Sequence, residues 1–224
     1  MKKKRKNLIT VAIDSPAAAG AGTQAKYIAN EYKLLYLDTG KIYRFIGKLR
    51  LNNKNNFNYK LVREKIKKIN LEKLKDKSLI SNEIAISASI IAKDYKIRKI
   101  IKKFQLECAY NPPKKFFGSV LDGRDITSVI MKNAMFKFYI TANIKIRARR
   151  RYLEFKKLNK KIDYKFVLKS LRKRDYLDKN RKFSPLKKTK DSILINTSKL
   201  SKKASFKKIK SIIDKKIKTL DGNL

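Results

Sequence analysis

The chain of 224 residues has no histidine, no tryptophan and one cysteine, Cys108. Lack of histidine removes histidine-dependent triads and histidine metal sites. A lone cysteine allows neither an intrachain disulfide nor a cysteine metal cluster. Acidic side chains are also scarce: 18 Asp and Glu stand against 60 Lys and Arg, a formal charge of +42. No apolar run approaches the ~20 residues of a membrane span. The run LITVAI after the basic head MKKKRKN is too short for a secretory signal and is interrupted by Asp14. These absences lead to the expectation of a cytoplasmic protein without a membrane partner.

What remains is a chain that is 42% apolar, enough for a folded core and a subdomain at this length. Lysine pairs and triplets occur from Lys2 to Lys216, interleaved with Ile and Asn, and no segment monopolises them. That spread reads as solvated helix faces. A basic nucleic-acid-binding protein is the less favoured reading, because the chain lacks the basic stretch with interleaved aromatics that such a module carries. Such a charge would still attract any anion, nucleotides included, in a salt-dependent way.

With only seven glycines, their positions are informative. Gly20 and Gly22 lie in the stretch Leu8 to Tyr32, where an apolar run meets a small-residue loop and then a helical pattern. Strand, loop, helix is the layout of a phosphate-binding loop, whose backbone N–H groups and helix N-terminus hold an anion. The spacing is S-x-x-x-x-G-A-G-T, with Ser15 in place of the first motif glycine and Ala21 in place of the motif lysine. An ordinary buried strand followed by a small-residue turn fits the same residues.

Further along, Leu34–Leu37, Phe116–Leu121, Phe136–Ile140 and Ser192–Asn196 read as strands. Helical patterns fill Lys41–Leu51, Tyr59–Lys75, Glu83–Lys93, Asp94–Tyr110, Asn143–Leu158 and Asp163–Lys179. Ser201 can cap a last amphipathic helix. Strands separated by helices imply an α/β fold, a parallel sheet with helices on both faces and ligands beyond the strand carboxyl ends. Asp14, Asp38, Asp122 and Thr141 fall at those ends. Asp122 stands where a carboxylate would hold Mg²⁺, and Thr23 offers a hydroxyl for it. Each is equally at home capping or starting a helix. Arg44, Arg98, Arg124, Arg174 and Arg181 carry weight only as a group around an anion. The arginine-rich helix after Thr141 could be a lid, or one more basic solvated helix.

The strings IDSPAAAGAGT, YLDTGKIYR, LDGRD, RARRRYLE and RKRDYLDKNRKFSPL occur in the order found in bacterial cytidylate (CMP/dCMP) kinases, which this chain resembles from about Leu8 onward. The resemblance implies a P-loop kinase domain with a core at about 7–51 and 114–224. A helical monophosphate-binding insertion would span about 52–113 and a lid about 147–165. It implies ATP and Mg²⁺, with ATP phosphates held by Ser15, Pro16, Ala17, Ala18, Ala19, Gly20, Ala21, Gly22 and Thr23. CMP would meet Thr39, Tyr43, Arg44, Arg98, Arg124, Asp125, Arg174, Asp178 and Arg181. The implied catalytic cations are Arg124, Arg174, Arg147 and Arg151, in a monomer.

The departures are on the donor side. The family usually has glycine at Ser15 and Ala18 and lysine at Ala21. Losing one preorganised transition-state contact costs about 3–4 kcal/mol, roughly 10²–10³ in rate. Ser15 and Ala18 are expected to restrict the loop backbone. In the favoured reading another cation substitutes: Lys41, after Gly40, or less suitably Lys26. In the other, the chain binds CMP but transfers phosphate poorly.

Overall fold

The computed structural model describes residues 8–158 and 162–221. Five strands lie close to where the apolar runs predict them: β1 (Ile9–Asp14), β2 (Leu35–Asp38), β3 (Gly118–Gly123), β4 (Phe136–Thr141) and β5 (Ile193–Asn196). They form one parallel sheet in the order β2-β3-β1-β4-β5. The helices are α1 (Ala21–Glu31), α2 (Thr39–Asn52), α3 (Tyr59–Lys67), α4 (Asn82–Ile91), α5 (Tyr95–Tyr110), α6 (Ile144–Lys157), α7 (Tyr164–Asn180) and α8 (Lys202–Asp221).

The period-two alternation of the strands sorts side chains onto two faces. Val11, Ile13, Val120, Phe138 and Ile140 pack with Ala25 and Ile28 of α1 and Ile209 and Ile213 of α8. Ala12, Leu37 and Leu121 point the other way, onto Ile42 and Ile46 of α2 and Ile97 and Ile101 of α5. That second cluster runs on without a break into Val62 and Ile66 of α3, so the sheet shares its core with the helical insertion. Gly47 lets α2 and α4 touch: a Cβ there would come within 2.8 Å of the Ala88 nitrogen. Ala148 and Phe155 of α6 pack with Val167 and Leu171 of α7 and with Ala17. No described helix is long and apolar enough to cross a membrane.

Three details differ from the sequence reading. β3 begins at Gly118, and Phe117 is 63% exposed; the strands approach so closely there that a Cβ on Gly118 would lie 1.9 Å from the Ile9 carbonyl oxygen. The helix beginning at Tyr59 stops at Lys67. The Asn70 side chain then accepts from the Lys73 N–H at 3.0 Å and sets up a separate short turn at Lys73–Lys75. A five-residue π turn at Ile126–Ile130, unforeseen in the sequence, follows Asp125. The expected lid at about 147–165 includes residues 159–161, which lie outside the described residues.

Candidate active site

β1 delivers the chain into the loop at Ser15–Gly20. Its neighbours hold that loop open. The Ser15 N–H donates to the Gly123 carbonyl at 3.2 Å. Arg147 Nη1 donates to the Ala17 carbonyl at 3.1 Å, and Thr197 Oγ1 to the Ala19 carbonyl at 3.0 Å. Gly20 enters α1 with φ 93° and without a side-chain cap. Gln24 makes the first backbone bond, to Gly20. The N–H groups of Ala21, Gly22 and Thr23 therefore have no acceptor within the helix. Orphan donors at the positive end of a helix dipole form an anion site. Ala21 is buried with Ala19 and Ala25 in the apolar cluster. Ala18 has φ 60°, which favours glycine and costs other residues about 1–2 kcal/mol, whereas Ser15 is not in that region. Of the two substituted loop positions, only Ala18 carries the expected strain.

Facing the strand ends is a cluster of guanidinium groups. Arg98 is buried, pairs with Asp125, donates to the Ala92 carbonyl at 3.1 Å and lies over the Tyr43 ring at 5.4 Å. Arg124 Nε donates to Asp178 Oδ2 at 2.8 Å. Arg181 sits 3.9 Å from both Asp125 and Asp178, and its Nη2 has no hydrogen-bond partner among the described residues. Arg44 Nη1 donates to the Leu79 carbonyl at 2.8 Å. Arg174 makes no hydrogen bond or ion pair with the described residues. Burial, then Arg124, with Arg44 and Arg151 also contributing, holds its guanidinium down to about 10, with Asp178 opposing. Burial and Arg151 lower Arg44 as well. Against burial, Arg124 and Arg174 hold the Asp178 carboxyl below its ordinary range. Arg44, Arg124, Arg151 and Arg174 thus repel one another in a partly buried space that an anion would neutralise.

Arg147 and Arg151 are placed differently. Arg147 is buried and fully engaged: besides Ala17 it donates to the Ala142 carbonyl at 2.9 Å and, through two nitrogens, to Asp175 at 3.1 and 2.5 Å. It acts as a strut between α6, α7 and the loop. Arg151 donates to Glu154 at 2.9 Å and lies over Phe155, on the side of α6 that reaches Arg44 and Arg174.

Three carboxylates stand at the carboxyl ends of the central strands: Asp14 and Asp38 end β1 and β2, and Asp122 is one residue short of the end of β3. Asp38 and Asp122 are register partners. Asp122 is buried, and its Oδ1 has no hydrogen-bond partner among the described residues. Burial and then Asp38 push its carboxyl up to about 8, with the Tyr36 hydroxyl hydrogen-bonding to it and working the other way. Its Oδ2 lies 3.7 Å from where a Cβ on Gly22 would stand, beside Thr23. An orphaned carboxylate oxygen beside an uncapped helix N-terminus fits Mg²⁺, which takes one or two carboxylates and completes its shell with phosphate oxygens and water. No group of three or more carboxylates, cysteines or histidines among the described residues could hold a metal unaided.

Thr39 is buried and its hydroxyl donates to the Asp122 carbonyl at 2.8 Å, so it braces the strand end. Lys41 is partly buried and makes no hydrogen bond or ion pair with the described residues; at i, i+3 it shares a helix face with Arg44. Lys26 is exposed on α1. Sequence reasoning passed over Thr197 and Tyr36. Thr197 directly follows β5, and the rule that ligands bind beyond strand carboxyl ends would have flagged it.

The sequence model of the cytidylate kinase family matches residues 11–215. A cytidylate kinase from Clostridium tetani is 38% identical over 222 residues, 93% of this chain and 95% of the relative. One from Bartonella quintana is 42% identical over 209 residues, 93% of this chain and 95% of the relative. Among solved structures, an uncharacterized protein from Eubacterium ventriosum is similar in fold, with a TM-score of 0.55 at 16% identity over 92% of this chain and 98% of that one. With the match running from the first strand into the last helix, this chain belongs to the cytidylate kinase family.

Proposed function

We propose that this chain transfers the γ-phosphoryl group of ATP to CMP and dCMP, giving CDP and dCDP, with Mg²⁺ as cofactor. The observation that carries the reading is Arg174, set among Arg44, Arg124 and Arg151 without a hydrogen bond or ion pair to the described residues, together with the uncapped N-terminus of α1. Such a space suits two phosphate groups brought together. An oxygen of the CMP phosphate forms the new bond to the γ-phosphorus, and the bond from that phosphorus to the β,γ-bridging oxygen breaks, releasing ADP. No proton need move, so a chain without histidine loses nothing. Positioning and charge neutralisation are what the protein must supply.

The donor phosphates rest on the N–H groups at Ala21–Thr23, in a loop (Ser15, Pro16, Ala17, Ala18, Ala19, Gly20) braced by Arg147 and Thr197. Asp122 and Thr23 would hold Mg²⁺, which when bound neutralises phosphate charge. Arg44, Arg124, Arg174 and Arg181 take the acceptor phosphate. Tyr43, Arg98, Asp125 and Asp178 form the wall for ribose and base. The insertion at about 52–113 brings Arg98, and Arg151 of α6 reaches toward Arg44 and Arg174. Lys41 supplies the cation that Ala21 cannot; its lack of a partner among the described residues and its place on Arg44's face support that role. Cytosine as the base follows from family membership. The working unit is taken as the monomer, as the family resemblance implies. Comparing kcat/KM for CMP, dCMP, UMP and AMP with ATP and Mg²⁺ tests the proposal. CMP and dCMP should lead; UMP or AMP ahead of both would overturn the substrate assignment.

A further inference from the structure

Asp14 is fully buried, and neither phosphate binding nor metal binding uses it. Its carboxylate accepts three hydrogen bonds, all from the residues just after the Arg124–Asp125 pair: Oδ1 from the Ile126 N–H at 2.7 Å, and Oδ2 from the Thr127 N–H at 2.8 Å and the Thr127 hydroxyl at 2.6 Å. Those two N–H groups open the π turn at Ile126–Ile130, and a first turn needs an acceptor for them. The local candidate is Asp125, which stands at the N-cap position. Asp125 makes no capping bond; its carboxylate is drawn to Arg98, with Arg181 3.9 Å away. A carboxylate from another strand does the capping instead.

That exchange joins two halves of the site. Asp14 directly precedes Ser15, the first residue of the donor loop, and the Ser15 N–H bonds back to Gly123, directly before Arg124. Donor loop and acceptor pair are thus cross-linked at adjacent residues on both strands. We propose that Asp14 is a positioning residue that sets the register of the donor loop against Arg124 and Asp125, and that it frees Asp125 to hold the acceptor-site arginines. The proposal rests on the functional reading above, because it assumes that loop and arginines hold two ends of one transfer.

A neutral amide in Asp14→Asn keeps one acceptor oxygen and turns an NH₂ toward a backbone N–H. Displacing reacting groups by about 1 Å costs roughly 100-fold in rate. The test uses the full chain and a bisubstrate ligand, adenosine joined to cytidine through a chain of phosphates, which fits only if both halves are in register. In Asp14→Asn, CMP alone and ATP alone should bind within about threefold of the parent. Bisubstrate affinity should drop by about 30-fold or more, and kcat by about 100-fold. Thr127→Val, which removes only the hydroxyl bond, should lose less of both and serves if the first variant does not fold. Bisubstrate affinity that falls no more than the single-ligand affinities, in whichever variant folds, overturns the proposal. A parent that binds neither CMP nor the bisubstrate ligand would instead overturn the functional reading, and this inference with it.

Discussion

Replacing Arg174 with methionine should make the ligand-free protein more stable and nearly inactive. The folded chain holds this guanidinium at about 10 against an ordinary 12.5, through burial and then Arg124. A base with a lowered folded value opposes folding wherever it is charged, which here means at every pH below about 10. The difference corresponds to roughly 3 kcal/mol. Methionine recovers part of that while keeping most of the side-chain volume, so a net gain of about 1–2 kcal/mol is expected. For a chain of this size each kcal/mol raises Tm by about 2–4 °C, a shift of about 2–8 °C. Turnover should fall by about 100-fold or more, as for loss of a preorganised charge. Thermal unfolding with and without CMP reads both effects. At 100 times Kd, CMP should stabilise the parent by about 2.7 kcal/mol and the variant far less. Arg147→Met provides the contrast. It breaks a buried two-nitrogen pair with Asp175 and should cost about 3–5 kcal/mol. Destabilisation of Arg174→Met by more than about 1 kcal/mol, or turnover near that of the parent, would refute the reasoning.

Lys41→Met should lower kcat by about 10²–10³ with little change in CMP affinity, and adding Ala21→Lys should restore most of it; steady-state kinetics of the single and double variants decides. Asp122 lies at about 8 in the folded chain, so it still holds a proton at pH 7. Its contribution to ligand-free stability is present in acid and lost as pH rises through about 8. Binding of the Mg²⁺ complex of ATP should strengthen over that range and release a proton, seen by calorimetry in two buffers; pH-independent binding would contradict the role given to Asp122. Ala18→Gly removes the strain at φ 60° and should raise Tm by about 1–3 °C in a thermal melt.

The strands were legible because they leave short, largely apolar runs between helical patterns: LITVAI is nearly continuous, and FKFYI keeps Phe136, Phe138 and Ile140 on one face. The strand–loop–helix layout of Ile9–Glu31 was legible because small residues mark the tight turn between an apolar run and a helical pattern. Phe117 misled because its side chain is apolar while the close approach that starts β3 depends on the next residue, Gly118. The arginines could be ranked only by resemblance, since a guanidinium with no partner is a fact of three-dimensional neighbours. Arg147 shows this most clearly. By sequence it belongs to a lid, yet it is pinned to Ala17, Ala142 and Asp175. Asp14 and Asp122 look alike as strand-end carboxylates. Only packing distinguishes the one with three donors from the one with an orphaned oxygen.

We propose that the Ser15–Thr23 loop holds the ATP phosphates and works without the usual lysine. The most direct test is ADP release with CMP, ATP and Mg²⁺, the parent chain beside Ala21→Lys. Parent turnover should lie within about tenfold of the variant if Lys41 supplies most of a contact worth roughly 10²–10³ in rate. No turnover in the parent, with rescue in the variant, would contradict it and leave an intact acceptor site behind a disabled donor loop.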